Sequence, residues 1–305
     1  MAKRVLVTGA FGFVGRYVAR ACAARGYVVR GIGHGSWSRA EWRPWGLSEW
    51  HEGSIGIEQL VTYAGEPDLI FHCAGSGSVA FSMTHPYQDC QRTVGTTLSV
   101  LEFMRLHAPS ARLVVPSSAG VYGVAETMPL KVRDVLNPLS PYGLHKKMSE
   151  DLCGSYARHF ALNAAVVRLF SVYGIGLRKQ LLWDACTKIS SGIVDFAGTG
   201  DETRDWIHVE DAAALMLAAS QAASPLCPTV NGGGGQGMPI RAVIGQIADL
   251  CAADAPLRFS GQGRPGDPVH YEADITEARA LGWAPQREMA AEVAAYVDWF
   301  KKGAP

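Results

Sequence analysis

The sequence carries no excess of charge: Lys plus Arg number 28, Asp plus Glu number 28, and charged residues are only 18% of the chain. Dedicated nucleic-acid binders show a basic surplus, so DNA and RNA are not expected partners. No apolar run approaches the roughly 18–20 residues that cross a bilayer. The opening MAKRVLVTGA has a basic pair but no apolar h-region with a cleavage site, so a cytoplasmic chain without a signal peptide is expected. The seven cysteines, Cys22, Cys73, Cys90, Cys153, Cys186, Cys227 and Cys251, are odd in number, scattered, and never in a CxxC. Neither a zinc site nor a disulfide framework is expected, and free thiols suit a reducing compartment. There is no internal repeat and no low-complexity tail.

What is present is apolar material. The chain has 305 residues, 48% of them hydrophobic, enough for one large domain or two small ones. In the first half short apolar runs alternate with longer amphipathic ones. RVLVT (4–8), 27–32, LIFHC (69–73), LVVP (113–116) and NAAVVRL (163–169) read as strands. Residues 12–25, 88–107 and 142–159 read as helices. Such alternation predicts an α/β fold with a doubly wound parallel sheet covered on both faces. After residue 170 the pattern loosens around GTGDETRD (198–205) and NGGGGQG (231–237). This predicts a cofactor domain over 1–170 and a smaller α/β substrate domain over 171–305, interleaved with the sheet.

Residues 8–15 read TGAFGFVG, with Gly9, Gly12 and Gly15 between a strand and a helix. The first glycine permits a tight turn, the second lets backbone approach a pyrophosphate, and the third lets helix pack on strand. The helix N-terminus then attracts phosphate charge. The second strand should end in the acid that reads an NAD ribose, but 28–39 is VVRGIGHGSWSR, and Gly33 or His34 stands there. Without the acid, and with His34, Ser36 and Arg39 nearby, the sequence leans to NADP over NAD.

Residues 142–146 read YGLHK. A Tyr and a Lys four apart share a helix face, and a cation beside a phenol favours the phenolate, making Tyr142 a usable general acid/base. Ser117 and Ser118 follow a predicted strand, and Ser118 precedes Tyr142 by 24 residues.

With the glycine loop, Ser118 and Tyr142-x-x-x-Lys146 in this order, the chain resembles the extended short-chain dehydrogenase/reductases, the nucleotide-sugar epimerase/dehydratase family. The resemblance runs nearly the whole length: TGAFGFVG, FHCAG (71–75), SSAGVYG (117–123), SPYGLHKKMSE (140–150), RLFSVYGIG (168–176), GTGDETRDWIHVED (198–211) and LGWAP (281–285). It implies a Rossmann-type sheet and a triad of Ser118, Tyr142 and Lys146. Tyr142 would exchange a proton with a sugar hydroxyl, Ser118 would bond the same oxygen, and Lys146 would hold the nicotinamide ribose. It implies cofactor contacts at Gly9, Phe11, Gly12, Phe13, Val14, Gly15, His34, Ser36, Ser54, Ile55, Ala74 and Gly75, besides Tyr142 and Lys146. Substrate contacts are implied at Ser78, Ser118, Ser171, Arg204 and Arg264, with the two arginines gripping a diphosphate. A nucleotide-sugar substrate and a homodimer paired through the helices at 88–107 and 142–160 are likewise implied. No metal is.

Departures from the family pattern narrow the chemistry. Sugar 4,6-dehydratases and decarboxylating relatives place acids after the catalytic serine, and epimerase-reductases place a Cys two residues beyond it. Ala119 and Gly120 occupy these positions here. Hydride chemistry at C4 survives, as a 4-ketoreductase or a 4-epimerase, and the permissive ribose end leans to the 4-ketoreductase. Thr93 and Ser54 stand where Asn and Asp are common, and Ser171 where Asn is common. Reduction of a non-nucleotide carbonyl and non-catalytic dinucleotide sensing are the remoter alternatives. Trp37, Trp42, Trp45 and Trp50 crowd one segment and read as packing at the sheet edge. His72, His145 and His208 read as structural.

Overall fold

A computed structural model describes residues 2–124, 127–253, 255–262 and 269–303. In chain order the first half runs β1 (Arg4–Thr8), α1 (Phe13–Ala23), β2 (Val28–Gly33), α2 (Arg39–Trp42), β3 (Leu47–Glu52), α3 (Ile57–Tyr63) and β4 (Leu69–His72). It continues α4 (Val79–Thr84), α5 (Pro86–Cys90), α6 (Thr96–His107), β5 (Arg112–Ser118), α7 (Pro141–Phe160) and β6 (Asn163–Leu169). The second half runs β7 (Ser171–Tyr173), α8 (Gln180–Ser190), β8 (Asp195–Phe196), β9 (Thr203–His208), α9 (Val209–Ala222) and β10 (Thr229–Gly232). It closes with β11 (Gly237–Pro239), α10 (Ile240–Cys251), β12 (Arg258–Phe259), α11 (Thr276–Ala280) and α12 (Met289–Lys301).

Seven strands form one parallel sheet in the order β10-β6-β5-β4-β1-β2-β3. The continuous apolar strands explain its two covered faces. Val5 and Val7 point into one buried layer with α1 and α9, while Leu6 points into the opposite layer with α3, α6 and α7. Leu69 and Phe71 against Ile70, and Val114 against Leu113 and Val115, repeat the alternation. A third core, around Tyr173, Phe196, Ile244 and Tyr296, supports the two small sheets β11-β9-β7 and β12-β8. The chain thus builds its small sheets after residue 170 but returns to the central sheet with β10 on β6.

Two elements differ from the sequence expectation. The helix expected over 88–107 is interrupted by a π-turn at Gln91–Gly95 between α5 and α6. Its wider turn turns Thr93 inward, where Oγ1 accepts the Ser76 N–H at 3.3 Å. The strand β3 carries no apolar run, only LSEWHE, because it is an edge strand whose Leu47 alone is buried. The four tryptophans pack around it. Trp37 meets Phe11 edge-on at 5.3 Å and Trp50 at 5.4 Å, and Trp45 meets Tyr17 at 5.2 Å. The Arg16 guanidinium lies over Phe11, Trp37 and Trp45.

Candidate active site

Parallel strands end on one edge, so the loops after β1, β2, β4, β5 and β6 converge there. The loop after β1 is bare by necessity. Gly9 has φ +70°, and a Cβ on it would lie 2.6 Å from the Ala74 nitrogen. A Cβ on Gly15 would lie 2.3 Å from the Gly9 carbonyl oxygen. Gly12 caps α1 with no side chain, leaving the first N–H groups of an 11-residue helix for a ligand. Phe11, Phe13 and Val14 continue this loop, and Ala74 N–H donates to Thr8 Oγ1 at 3.3 Å, joining it to the β4 loop. The cradle fits a dinucleotide pyrophosphate.

At the end of β2 a Cβ on Gly33 would come within 3.2 Å of Gly9 and 3.3 Å of Trp50. His34 and Ser36 are exposed on the rim, Ser54 is exposed, and Ile55 is buried beneath it. Gly75, with φ +143°, leaves its Cβ direction open toward the Lys146 ammonium, 3.9 Å away.

The triad residues come together through α7. Ser140 caps this helix by accepting the Gly143 N–H at 3.2 Å, and Pro141 opens it. Gly143 lets the helix sit directly on the turn after β5, where a Cβ would lie 2.4 Å from the Gly120 carbonyl. Ser118 ends β5 and accepts the Gly120 N–H at 3.1 Å, and its hydroxyl is near enough to the Tyr142 phenol to favour the phenolate. Lys146 Nζ donates to the Pro116 carbonyl at 3.0 Å and lies 6.0 Å from the Tyr142 ring centroid.

The electrostatics correct one expectation. Burial dominates and pushes the Tyr142 phenol up, with the nearby Ser118 hydroxyl pulling it down and Asp89 raising it further. Burial likewise pushes Lys146 down. In the protein alone Lys146 therefore does not bring Tyr142 toward neutrality, because the ring and the ammonium are apart and both are desolvated.

Of the substrate residues, Ser78 caps α4 by accepting the Phe81 N–H at 3.1 Å, and Ser171 opens β7 beside the cleft. Arg204 sits on β9 with its guanidinium on the Thr203 carbonyl at 2.9 Å. Arg264 lies outside the described residues. The position two residues beyond the serine does face the reacting groups: a Cβ on Gly120 would lie 3.4 Å from Ser118 Oγ and 3.6 Å from the Tyr142 ring. His72 is structural, as expected. It is buried between Thr8 Oγ1 at 2.7 Å and Thr96 Oγ1 at 3.4 Å, and burial lowers it to about 3.

The motifs missed two features of this region. Lys179, before α8, brings its ammonium within 3.5 Å of where a Gly77 Cβ would be. Asp89 is wholly buried under α7, bonded to His145. A carboxylate within a run otherwise read as amphipathic helix was the only signal for it.

The family model of the NAD dependent epimerase/dehydratase family matches residues 5–230. The chain belongs to this family. It is 29% identical to the UDP-glucose 4-epimerase of Azospirillum brasilense, over 93% of this chain and 88% of the relative. It is 27% identical to the CDP-paratose 2-epimerase of Salmonella typhi, over 97% and 98%. Among solved structures, MoeE5 in complex with UDP-glucose and NAD superposes with a TM-score of 0.88 at 26% identity, covering 99% of this chain and 100% of that one. The UDP-glucose 4-epimerase of Thermotoga maritima shares the fold with a TM-score of 0.88 at 24% identity, over 99% and 100%. The seven-stranded parallel sheet is thus the Rossmann-type sheet of this enzyme family. Among the described residues no helix is long and apolar enough to cross a membrane, and no cluster of His, Cys, Asp or Glu could hold a metal ion.

Proposed function

We propose that the protein is a nucleoside-diphosphate-sugar 4-epimerase that keeps its own NAD. The observation that carries this is that Ser118 and Tyr142 face the same bare position, 3.4 Å and 3.6 Å from where a Gly120 Cβ would lie, in a chain that also carries the bare glycine cradle after β1. When bound, a nicotinamide would take a hydride from the sugar carbon and give it back. Tyr142 would take the proton of the sugar C4 hydroxyl and later return it, and Ser118 would hold the same oxygen, so the reaction would be redox-neutral. Lys146 anchors the far side through its place beside Gly75 and the Pro116 carbonyl. Arg204, and Arg264 by the family resemblance alone, would hold the diphosphate.

The sequence lean to a 4-ketoreductase gives way to the epimerase for two reasons. The relatives are named as epimerases. Gly120 also leaves the wall beside Ser118 and Tyr142 without a side chain, which gives a keto sugar room to turn. The lean to NADP gives way with it. We read the cofactor as NAD, on the family and on a relative bound to it. The assembly is a homodimer, supported by exposed Leu98 and Leu106 on α6 beside exposed Leu144 and Met148 on α7. The test is the mass of the dinucleotide released when freshly purified protein is denatured. Stoichiometric NAD is expected. An empty protein that takes up NADPH and reduces 4-keto sugar nucleotides would overturn the reading.

A further inference from the structure

The helix that carries Tyr142 and Lys146 holds a second ionisable pair, which the steps above do not use. His145 lies between them in sequence, and at about 100° per residue its side chain leaves α7 within about 60° of the Tyr142 direction. The ring meets α5, where Nδ1 donates to Asp89 Oδ2 at 2.6 Å. The Asp89 side chain is 0% exposed and that of His145 9%. Asp89 Oδ1 is buried with no hydrogen-bond partner. A pair kept for packing alone would be served as well or better by apolar side chains of the same volume. An orphaned carboxylate oxygen makes this one more costly still.

Among the described residues around α7, Asp89 has His145 as its hydrogen-bonded partner, and the Lys146 ammonium also lies within reach of its charge. Glu150 on α7 is paired with Arg168 of β6 at 2.8 Å. At the end of β4, burial keeps His72 neutral and pushes the Cys73 thiol up to about 12, so neither is charged. From the other elements packed on α7, Arg92 and His85 lie on the Phe81 ring, and Glu102 pairs with Arg105. The field of Asp89 reaches both Tyr142 and Lys146 and favours the protonated form of each.

We propose that Asp89 and His145 are positioning residues of the active site: their buried bond fixes α7 against α5, and the charge of the pair sets how readily the Tyr142 hydroxyl releases its proton. The proposal rests on reading Tyr142 as the proton-transferring group.

The test follows the ionisation of Tyr142 directly. Tyrosine is labelled with carbon-13 at Cζ, NAD is added, and the pH is raised, with Tyr142→Phe identifying the signal. Asp89→Asn, which keeps the shape and removes the charge, is expected to lower the Tyr142 midpoint by about 0.5–1 pH unit. His145→Asn, whose amide takes the place of Nδ1–H and leaves Asp89 in place, is expected to keep the Tyr142 midpoint of the unmodified protein. Asp89→Ser repeats the charge removal should Asp89→Asn fail to fold. A Tyr142 midpoint unmoved in either folded Asp89 variant overturns the proposal and leaves the pair as packing. No sugar is needed, so absent epimerase turnover would sink the proposed function without touching this result.

Discussion

A phenol near an ordinary value is a poor base at neutral pH, and burial in this cleft makes Tyr142 poorer. Its use depends on the nearby Ser118 hydroxyl, which pulls the phenol down, and on charge supplied when ligand is bound. Tyr142→Phe keeps the shape and removes the proton carrier. Turnover of the nucleoside-diphosphate hexose should fall by roughly 10²–10⁴-fold while NAD stays bound, which released-cofactor mass and steady-state rates together check. Gly15→Ala acts differently. Its Cβ would drive into the Gly9 carbonyl at 2.3 Å, so the protein should lose NAD, and isothermal titration should show it. His72 is a stability residue with a pH signature. Its folded pKa is depressed to about 3 from 6.5, so its contribution is present above about pH 6.5 and is lost as pH falls toward 3. Each pH unit in that window costs about 1.4 kcal/mol. The acid limb of stability against pH should flatten in His72→Asn.

At the scale of elements, α7 is the piece that everything else holds. It is joined to α5 through His145 and Asp89, to the turn after β5 through Gly143, and to β6 through Glu150 and Arg168. The last pair is buried on both sides, and Arg168 also donates to the Tyr122 hydroxyl and the Val132 carbonyl. Arg168→Ala leaves Glu150 charged and unpaired. Denaturant unfolding should show a loss of about 3–5 kcal/mol, and adding Glu150→Gln should recover part of it. The π-turn before α6 is the other such device. Hydrophobic periodicity read one helix there, since a single extra residue barely disturbs a 3.6 pattern, yet it is what aims Thr93 at Ser76.

For the whole molecule, two surfaces matter. The candidate site residues come from both halves of the chain, the glycine loop, Ser118, Tyr142 and Lys146 from the first and Ser171 and Arg204 from β7 and β9. The exposed apolar face of α6 and α7 includes Leu144 and Met148 of the helix that carries Tyr142 and Lys146. If two copies pair there, Leu98→Glu with Met148→Glu should give a monomer by sedimentation velocity. Activity should fall as well, because α7 would lose its outer support. A variant that remains a dimer would place the interface elsewhere.

The sequence by itself determined the buried strands of the parallel sheet and pointed to the candidate residues of the site. Continuous apolar runs demand a sheet buried on both faces, and glycine spacing and Tyr-x-x-x-Lys are local patterns whose chemistry needs only neighbours in the chain. β3 was hidden because an edge strand needs little apolar surface. The tertiary structure alone decided what lies around those residues. That Lys146 bonds a carbonyl, that Gly120 faces Tyr142, and that Asp89 reaches α7 from 56 residues away are consequences of packing between distant segments. Proton affinity follows burial and nearby charge, and neither exists until the chain has folded.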